Sequence, residues 1–225
     1  MGRLRRELNA VFVSTWHAVR QRGLLAMDIA LIVAIGTIVF WLGYRSGAQH
    51  AFRAVSAVRE TNRGVTNAVR LPGSILAPYP GVPFWWMVIL IMVSFTIGEV
   101  HLGRLRLIVV GVIGQVLATL AGWALTGTAA GKLIGLGANS SDLDTGPSVI
   151  SVSVLAAVFV VLDCPILLGI LAIGLVGEVV VQHSLTGVEH VAALIIGVIA
   201  GVVMRLGGWS GEVAAAPSTG SEQRS

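Results

Sequence analysis

The chain has 225 residues, of which 55% are hydrophobic and only 12% are charged, and its mean hydropathy is +0.87. A soluble domain of this length cannot hide so much apolar surface in one core, which excludes the ordinary soluble classes. The formal net charge is +4, and nearly all the basic residues are arginines beside apolar runs. Arginines in such places orient membrane spans and contact anionic lipid, so we expect membrane lipid as a partner and no nucleic acid.

Apolar runs without charged residues recur along the chain, and about twenty such residues are enough to cross a bilayer as a helix. Backbone polar groups within lipid must bond to each other, so these runs are expected to be helical. The predicted fold class is all-α: a polytopic membrane protein whose six transmembrane helices form one bundle within residues 24–207. The predicted spans cover approximately residues 24–42, 83–98, 107–125, 148–162, 166–181 and 188–204.

The N-terminal segment, residues 1–23, combines arginines with apolar side chains at helical spacing. This pattern predicts an amphipathic helix on the cytoplasmic surface. The next apolar run is long and ends without a small-residue cleavage site, so we interpret it as a retained first span. Asp28, near its start, is expected to be interfacial or to cap the helix. The apolar positions are Leu4, Leu8, Phe12, Trp16 and Val19.

The arginines also predict how the spans are oriented across the membrane. Those of the N-terminal segment, Arg104 after the second span and Arg205 after the sixth favour the cytoplasmic side. We therefore expect a multi-pass protein of the cell (plasma) membrane with a cytoplasmic N-terminus. Residues 45–82 then lie outside with arginines of their own, against a rule that weakens for longer loops. Within them, residues 50–69 have the pattern of an interfacial helix, and the tail, residues 208–225, is expected to be disordered.

Ser148 marks the change from a polar, glycine-rich loop to the fourth span. Pro147 suits the first helical position and Asp144 or Thr145 the cap, which puts Ser148 just inside the first turn. Free backbone N–H groups and the helix dipole favour a developing negative charge there. A serine so placed can act as a nucleophile if a base reaches it, although serines at helix starts are usually structural.

His190 opens the sixth span, on the same outer side as Ser148. A histidine at membrane depth needs a partner or a water-filled cavity, and a packing role is the common alternative. Ala193, Gly197 and Gly201 give its helix a small-residue face for close approach to another helix. We expect that approach to bring His190 near Ser148, and a serine–histidine pair is a workable nucleophile and base.

Three segments in this order resemble the rhomboid family of intramembrane serine proteases, over roughly residues 81–205. The run Glu99–Gly103, EVHLG, is similar to the E-x-x-L-G segment that closes the second core helix of that family. Gly146–Ser148 is similar to the G-x-S that supplies its nucleophile. The run His190–Gly197 is similar to the H-x-x-G-x-x-x-G of its sixth helix, with an alanine in place of one glycine. The D-x-G-x-S form of the serine segment resembles a divergent, mainly actinobacterial, branch.

The resemblance implies proteolysis within the membrane. Ser148 would attack a scissile carbonyl, and His190 would serve as general base and then as acid to the leaving amine. The substrates would be single-span proteins with helix-destabilising residues near the outer leaflet. In the same comparison Glu99, Gly103, Ala193 and Gly197 are structural.

The sequence departs from that family where the oxyanion is bound. Counting back from Glu99 by the spacing of the family, the usual histidine and asparagine positions fall on Pro83 and Met87, which donate no side-chain hydrogen bond. Pro147 also lacks a backbone N–H. Near the serine, Val149 stands where the family has a glycine, and Val152 where it often has an aromatic residue. The candidates to support the oxyanion instead are Gly146, Gln115 and Asn139.

The remaining polar groups are assigned structural roles. Glu99 and His101 are too few for a metal site, so we expect an ion pair or capping cluster with Arg104 or Arg106 and no metal or cofactor. Glu178 and His183 are expected to be interfacial or packed, and contact with the Ser148 cavity is the lesser alternative. Cys164, the only cysteine, excludes an intramolecular disulfide and is expected to be a buried structural thiol.

Three functions stay open. The first is an active rhomboid-type serine protease that uses Ser148 and His190. The second is a catalytically inactive rhomboid-like protein that binds transmembrane clients without cutting them, which the missing oxyanion donors motivate. The third is a small transporter or channel, which would show repeated halves and a polar lining. The sequence contains no such repeat, and its polar residues collect at the ends of spans.

Overall fold

The computed structural model describes residues 2–45, 58–59, 83–125, 128–129, 131, 143–144, 147–182 and 184–209. In these residues the chain is helical apart from one pair of two-residue strands. The N-terminal part consists of α1 (Gly2–Leu8), a π-helical turn (Asn9–Val13), α2 (Ser14–Arg22), a 3-10 turn (Gly23–Ala26) and α3 (Asp28–Arg45). The rest consists of α4 (Phe84–Leu102), α5 (Arg104–Leu125), α6 (Ser148–Val161), α7 (Pro165–Gln182) and α8 (Leu185–Leu206).

Each predicted span coincides with a helix, and the membrane character rests on their length and composition. Three helices, α4, α5 and α8, are long and apolar enough to cross a bilayer. The N-terminal helices with α3, bent by 63° at the 3-10 turn, make a fourth if they count as one span. The helices α6 and α7 are apolar but shorter. Many large apolar side chains on α3, α5, α7 and α8 stay exposed, as lipid-facing residues do. These features indicate a membrane protein.

Among the helices α3 to α8, α6 is the shortest. It lies at the centre of the bundle and packs against α4, α5, α7 and α8. Nearly all its side chains after the first turn are buried. With 14 residues it is about 21 Å long, shorter than the ~30 Å hydrocarbon core of a bilayer. Because neighbouring helices surround it, its short length exposes no backbone to lipid.

Glycines of three neighbouring helices let α6 approach them closely. The α-carbons of Gly197 and Gly201 on α8 lie against backbone carbonyls of α6, where a Cβ would collide. Gly114 on α5 lies against the Ser153 side chain in the same way, and Gly98 on α4 lies against Val154. The predicted small-residue face of the sixth span is therefore confirmed, and its partner is α6.

These contacts also fix the relative direction of α6 and α8. Gly197 lies against Ser153 and Gly201 against Ala157, so both pairs are offset by the same 44 residues (197 − 153 and 201 − 157). A constant offset means that the two helices run parallel and that their first turns lie at the same end of the bundle. Because Ser148 is in the first turn of α6 and His190 in the second turn of α8, this register sets the geometry of the candidate site.

Polar contacts tie the helices together at the opposite end, which we call the arginine end (Asp28, Glu99, Arg104, Asp163 and Arg205). Arg104 donates from Nε to Glu99 Oε1 at 3.1 Å and pairs with Asp28. The other oxygen of Glu99 accepts the backbone N–H of Ile29 at 3.1 Å, at the start of α3. Gly103 ends α4 with a φ of +77°, a conformation that glycine adopts without strain. The expected ion pair between Glu99 and Arg104 is confirmed.

The turn from α6 to α7 lies at the same end. Asp163 has a φ of +55°, and Arg205 reaches from α8 to its carboxylate at 3.2 Å. Cys164 donates its backbone N–H to Phe159 at 2.8 Å, and its side chain is only 1% exposed. The predicted buried thiol is thus confirmed.

The N-terminal helix packs on the bundle with a face that its apolar pattern does not indicate. The buried side chains are Glu7, Val11, Thr15 and Ala18, which recur at helical spacing. A Glu7 oxygen accepts the backbone N–H of Leu167 at 2.9 Å, in the first turn of α7. Thr15 Oγ1 lies 3.1 Å from Nε2 of the buried His101. The predicted apolar positions Leu4, Leu8, Phe12 and Trp16 are 38%, 38%, 47% and 63% exposed and are free to face a lipid interface.

Three boundaries differ from the sequence expectations. Pro147 is the N-cap of α6 rather than its first helical residue, and it makes no side-chain capping hydrogen bond. Val58 and Arg59 form a strand paired with Leu143 and Asp144, so the predicted interfacial helix is wrong at these two residues, because cross-strand pairing requires extended backbone. The remainder of 50–69, His183 and most of the tail lie outside the described residues. Trp209, which was assigned to that tail, donates from Nε1 to the His101 carbonyl at 3.3 Å.

The close contact between α6 and α8 leads to a prediction. Gly197→Ala should destabilise the protein by about 1–3 kcal/mol, because the new methyl group meets the Ser153 carbonyl and Ala156 Cβ, and backbone cannot move aside cheaply. Thermal unfolding in detergent measures the change. Gly174→Ala is the matched control, because open space surrounds that glycine on α7 and alanine favours helix. Equal unfolding temperatures for the two variants would contradict the proposed packing.

A second prediction concerns Cys164. Burial raises the pKa of this thiol to about 11, and the nearby carboxylates of Glu7 and Asp163 act in the same direction. At pH 8 its thiolate population is then about a hundredfold smaller than that of a thiol with a pKa of 9.0. Maleimide should therefore label the folded protein very slowly, and labelling should become fast in denaturing detergent. Rapid labelling of the folded protein at pH 8 would show that this turn is open.

Candidate functional site

Ser148 is the first residue of α6 and is partly exposed, whereas Val149 and Ile150 after it are fully buried. The first intrahelical hydrogen bond runs from the Ser151 N–H to the Pro147 carbonyl at 3.0 Å. The backbone N–H groups of Ser148, Val149 and Ile150 therefore precede the helical hydrogen-bond ladder. Together with the helix dipole they form a positively polarised end beside the serine hydroxyl.

His190 lies one turn into α8, and its side chain is nearly buried. Its Nδ1 atom lies 2.8 Å from Oε2 of Glu178, on the last turns of α7. Its other ring nitrogen, Nε2, is buried and has no hydrogen-bond partner among the described residues. A carboxylate can only accept a hydrogen bond, so the contact requires a proton on Nδ1. In a neutral ring Nε2 then carries the lone pair and is available as a base.

Ser148 and His190 lie at the same end of two parallel, directly packed helices. With the offset of 44 residues set by Gly197 and Gly201, the residue of α8 level with Ser148 is Ala192. His190 precedes it by two residues, or about 3 Å along the helix axis. The two side chains are not hydrogen-bonded to each other in this structure. The two residues therefore share one end of the contact between α6 and α8 without a direct hydrogen bond between them.

Of the three candidates for oxyanion support, the structure describes one, Gln115. Gln115 is buried on α5, and its amide nitrogen lies 3.5 Å from Thr119 Oγ1, one turn further along the same helix. This donor therefore contacts a hydroxyl of its own helix. Gly146 and Asn139 lie outside the described residues. Pro83 is the N-cap of α4, at the same end as Ser148, and has no N–H to donate.

The sequence did not predict that Glu178 contacts His190 in the candidate site. The residue was expected to be interfacial or packed, whereas it contacts His190 through a direct hydrogen bond. A signal was present in the sequence, because only residues 183 and 184 separate α7 from α8. Helices joined so closely run antiparallel as neighbours, which brings residues near the end of one beside residues near the start of the next.

The described residues contain no group of three or more histidine, cysteine, aspartate or glutamate side chains placed to hold a metal ion. His101, which stands beside Glu99 in the sequence, is at the arginine end and contacts Thr15 and Ser14 of the N-terminal helix. Glu99 is engaged by Arg104 and Ile29. These two residues therefore hold helices together at the end opposite to Ser148.

Comparison of the chain with family models, with curated proteins and with solved structures gives no match. Its function is therefore argued from the residues and geometry described above.

Proposed function

We propose that the protein is a rhomboid-like integral membrane serine protease that cleaves transmembrane segments near the outer leaflet. The observation that carries the proposal is the position of His190 and the hydrogen bonding of its two ring nitrogens. Its buried Nε2 has no partner in the described part of the chain, Glu178 occupies Nδ1, and Ser148 starts the parallel neighbouring helix. Because His101 also has a buried ring nitrogen without a partner in the described residues, the support comes from this nitrogen together with the place of His190 near the start of α6.

The proposed reaction has two steps. Ser148 Oγ attacks the scissile carbonyl carbon while His190 Nε2 accepts the hydroxyl proton, and the tetrahedral intermediate collapses as His190 returns that proton to the leaving amine. Water, activated by the same nitrogen, then hydrolyses the acyl-enzyme and regenerates Ser148. The backbone N–H groups at the start of α6 are the donors best placed to stabilise the oxyanion.

The proposed topology is six spans, α3 to α8, with the N-terminus in the cytoplasm and the arginine end on the same side. The many arginines at that end support this orientation. Since α6 is about 21 Å long and centred among longer helices, Ser148 would lie below the outer membrane surface. Single-span proteins with helix-destabilising residues at that depth are the proposed substrates, because a protease needs an extended segment of backbone. The ordered matches to the rhomboid segments support the same reading.

A catalytically inactive, client-binding protein of the same fold is the second candidate. Its support is that Pro83 and Met87 provide no side-chain donors and that the Gln115 amide nitrogen contacts Thr119 on its own helix. Loss of one oxyanion donor can reduce kcat by about 10²–10³-fold. Such a protein would bind transmembrane segments and leave them intact. A transporter or channel fits less well, because the charged side chains of the described helices α3 to α8 lie near the helix ends.

The test is covalent labelling of the purified, detergent-solubilised protein with a fluorophosphonate probe. Wild type should be labelled, and labelling should be lost in Ser148→Ala and fall at least about a hundredfold in His190→Ala, since the serine would lose its base. Ser151→Ala is the matched control, because Ser151 is a buried serine one turn further along α6 whose hydroxyl contacts Pro147 and Ser94. Its labelling should equal that of wild type.

An active rhomboid protease labelled in parallel shows that the probe and detergent are adequate. If that enzyme is labelled and the wild-type protein is not, the protease proposal fails and the client-binding protein becomes the leading candidate. Equal labelling of wild type and Ser148→Ala would place the reactive group elsewhere.

A further inference from the structure

We propose that Glu178 is a positioning residue for the reaction, holding His190 in the tautomer and orientation that present Nε2 to Ser148. This inference rests on the proposed function. The rhomboid resemblance implies only a serine and a histidine, whereas this chain adds a carboxylate on the far side of the imidazole. The order carboxylate, imidazole, hydroxyl is an arrangement in which the first group orients the second and stabilises its protonated form.

The contact between Glu178 and His190 is direct and mostly removed from solvent. Nδ1 and Oε2 are 2.8 Å apart, and the two side chains are 10% and 23% exposed. At this distance a charge-assisted hydrogen bond has its full strength, and burial reduces its screening. The rotation of the imidazole is therefore restricted, and a proton is kept on Nδ1.

The backbone around this pair fixes the distance between the two helices. Gly187, in the first turn of α8, lies against Val179, and a Cβ on it would be 3.3 Å from the Val179 Cα. Val179 is the neighbour of Glu178, and Gly187 is three residues before His190. The Gly187 N–H donates to Ser184 Oγ at 3.2 Å, which caps α8 and defines where this turn begins. These local contacts bring the carboxylate to the imidazole.

Glu189, the acidic residue next to His190 in the sequence, contacts a different helix. Glu189 is fully buried and contacts Gly122 of α5, on the side of α8 away from α7. It therefore does not compete with Glu178 for Nδ1. Among the described residues Glu178 is the carboxylate hydrogen-bonded to the histidine.

The substitution that separates positioning from a structural role is Glu178→Gln. Glutamine has the same shape and still hydrogen-bonds His190, so a purely structural contact would survive. Its amide can donate to Nδ1, however, which permits the tautomer with the proton on Nε2 and removes the base. We expect the fluorophosphonate labelling rate at saturating probe to fall at least about tenfold, with little change in the probe concentration for half-maximal rate. Gly177→Ala, a neighbouring change into open space, is the matched control and should label like wild type.

The tautomer is measured directly by nitrogen-15 NMR of histidine-labelled protein at pH 8, with His190 assigned by loss of its signals in His190→Ala. We expect a protonated Nδ1 and an unprotonated Nε2 in wild type, and a reduced population of that form in Glu178→Gln. Wild-type labelling kinetics in Glu178→Gln, or an Nε2-protonated His190 in wild type, would overturn the inference. If wild type is not labelled at all, the proposed function fails, and the NMR result still decides whether Glu178 sets the tautomer.

Discussion

The contact on which the rest of the structure depends is the approach of α8 to the backbone of α6. It is made at Gly197 and Gly201, where no side chain stands between one helix and the carbonyl groups of the other. In lipid the hydrophobic effect does not drive helices together, so close van der Waals packing of this kind has to supply the attraction. The same contact sets the register, and the register brings the first turns of the two helices to one end. The relative position of Ser148 and His190 thus depends on the absence of side chains at Gly197 and Gly201, which follow His190 along α8.

The two ends of the bundle differ in the polar contacts that join their helices. At the arginine end, Arg104 connects two carboxylates and Arg205 closes the turn after α6. At the end with Ser148, the contact joins one histidine and one carboxylate, His190 and Glu178. Buried polar atoms without a hydrogen-bond partner in the described residues occur at both ends, at His190 Nε2 and at Asp28 Oδ1 and His101 Nδ1. What distinguishes His190 is its place near the start of α6, and not the unpaired nitrogen alone.

The sequence was a good guide to the helices and a poorer one to their polar contacts. Charge-free runs and small-residue spacing located the helices α3 to α8 and the face of α8 that packs, because these patterns follow directly from apolar burial and from close approach. The packed face of the N-terminal helix was not predictable in this way. It contains Glu7 and Thr15, whose partners are a helix start and a histidine far away in the chain. The link from Glu178 to His190 is similar, since periodicity describes one helix and not the rotation of two helices about each other. The helix start at Ser148 was one residue off, within the ordinary uncertainty of helix ends.

The hydrogen bond from Leu167 to Glu7 has a consequence for how the protein is made. The two residues are separated by 160 positions, so the N-terminal helix leaves the ribosome long before the backbone group that satisfies its buried carboxylate. Until α7 has been synthesised this hydrogen bond cannot form, and the ion pair described for Glu7 is with Arg3 of its own helix. Docking of the first helix is therefore a late event in biogenesis. A chain arrested before α7 would keep this helix undocked and open to proteolysis.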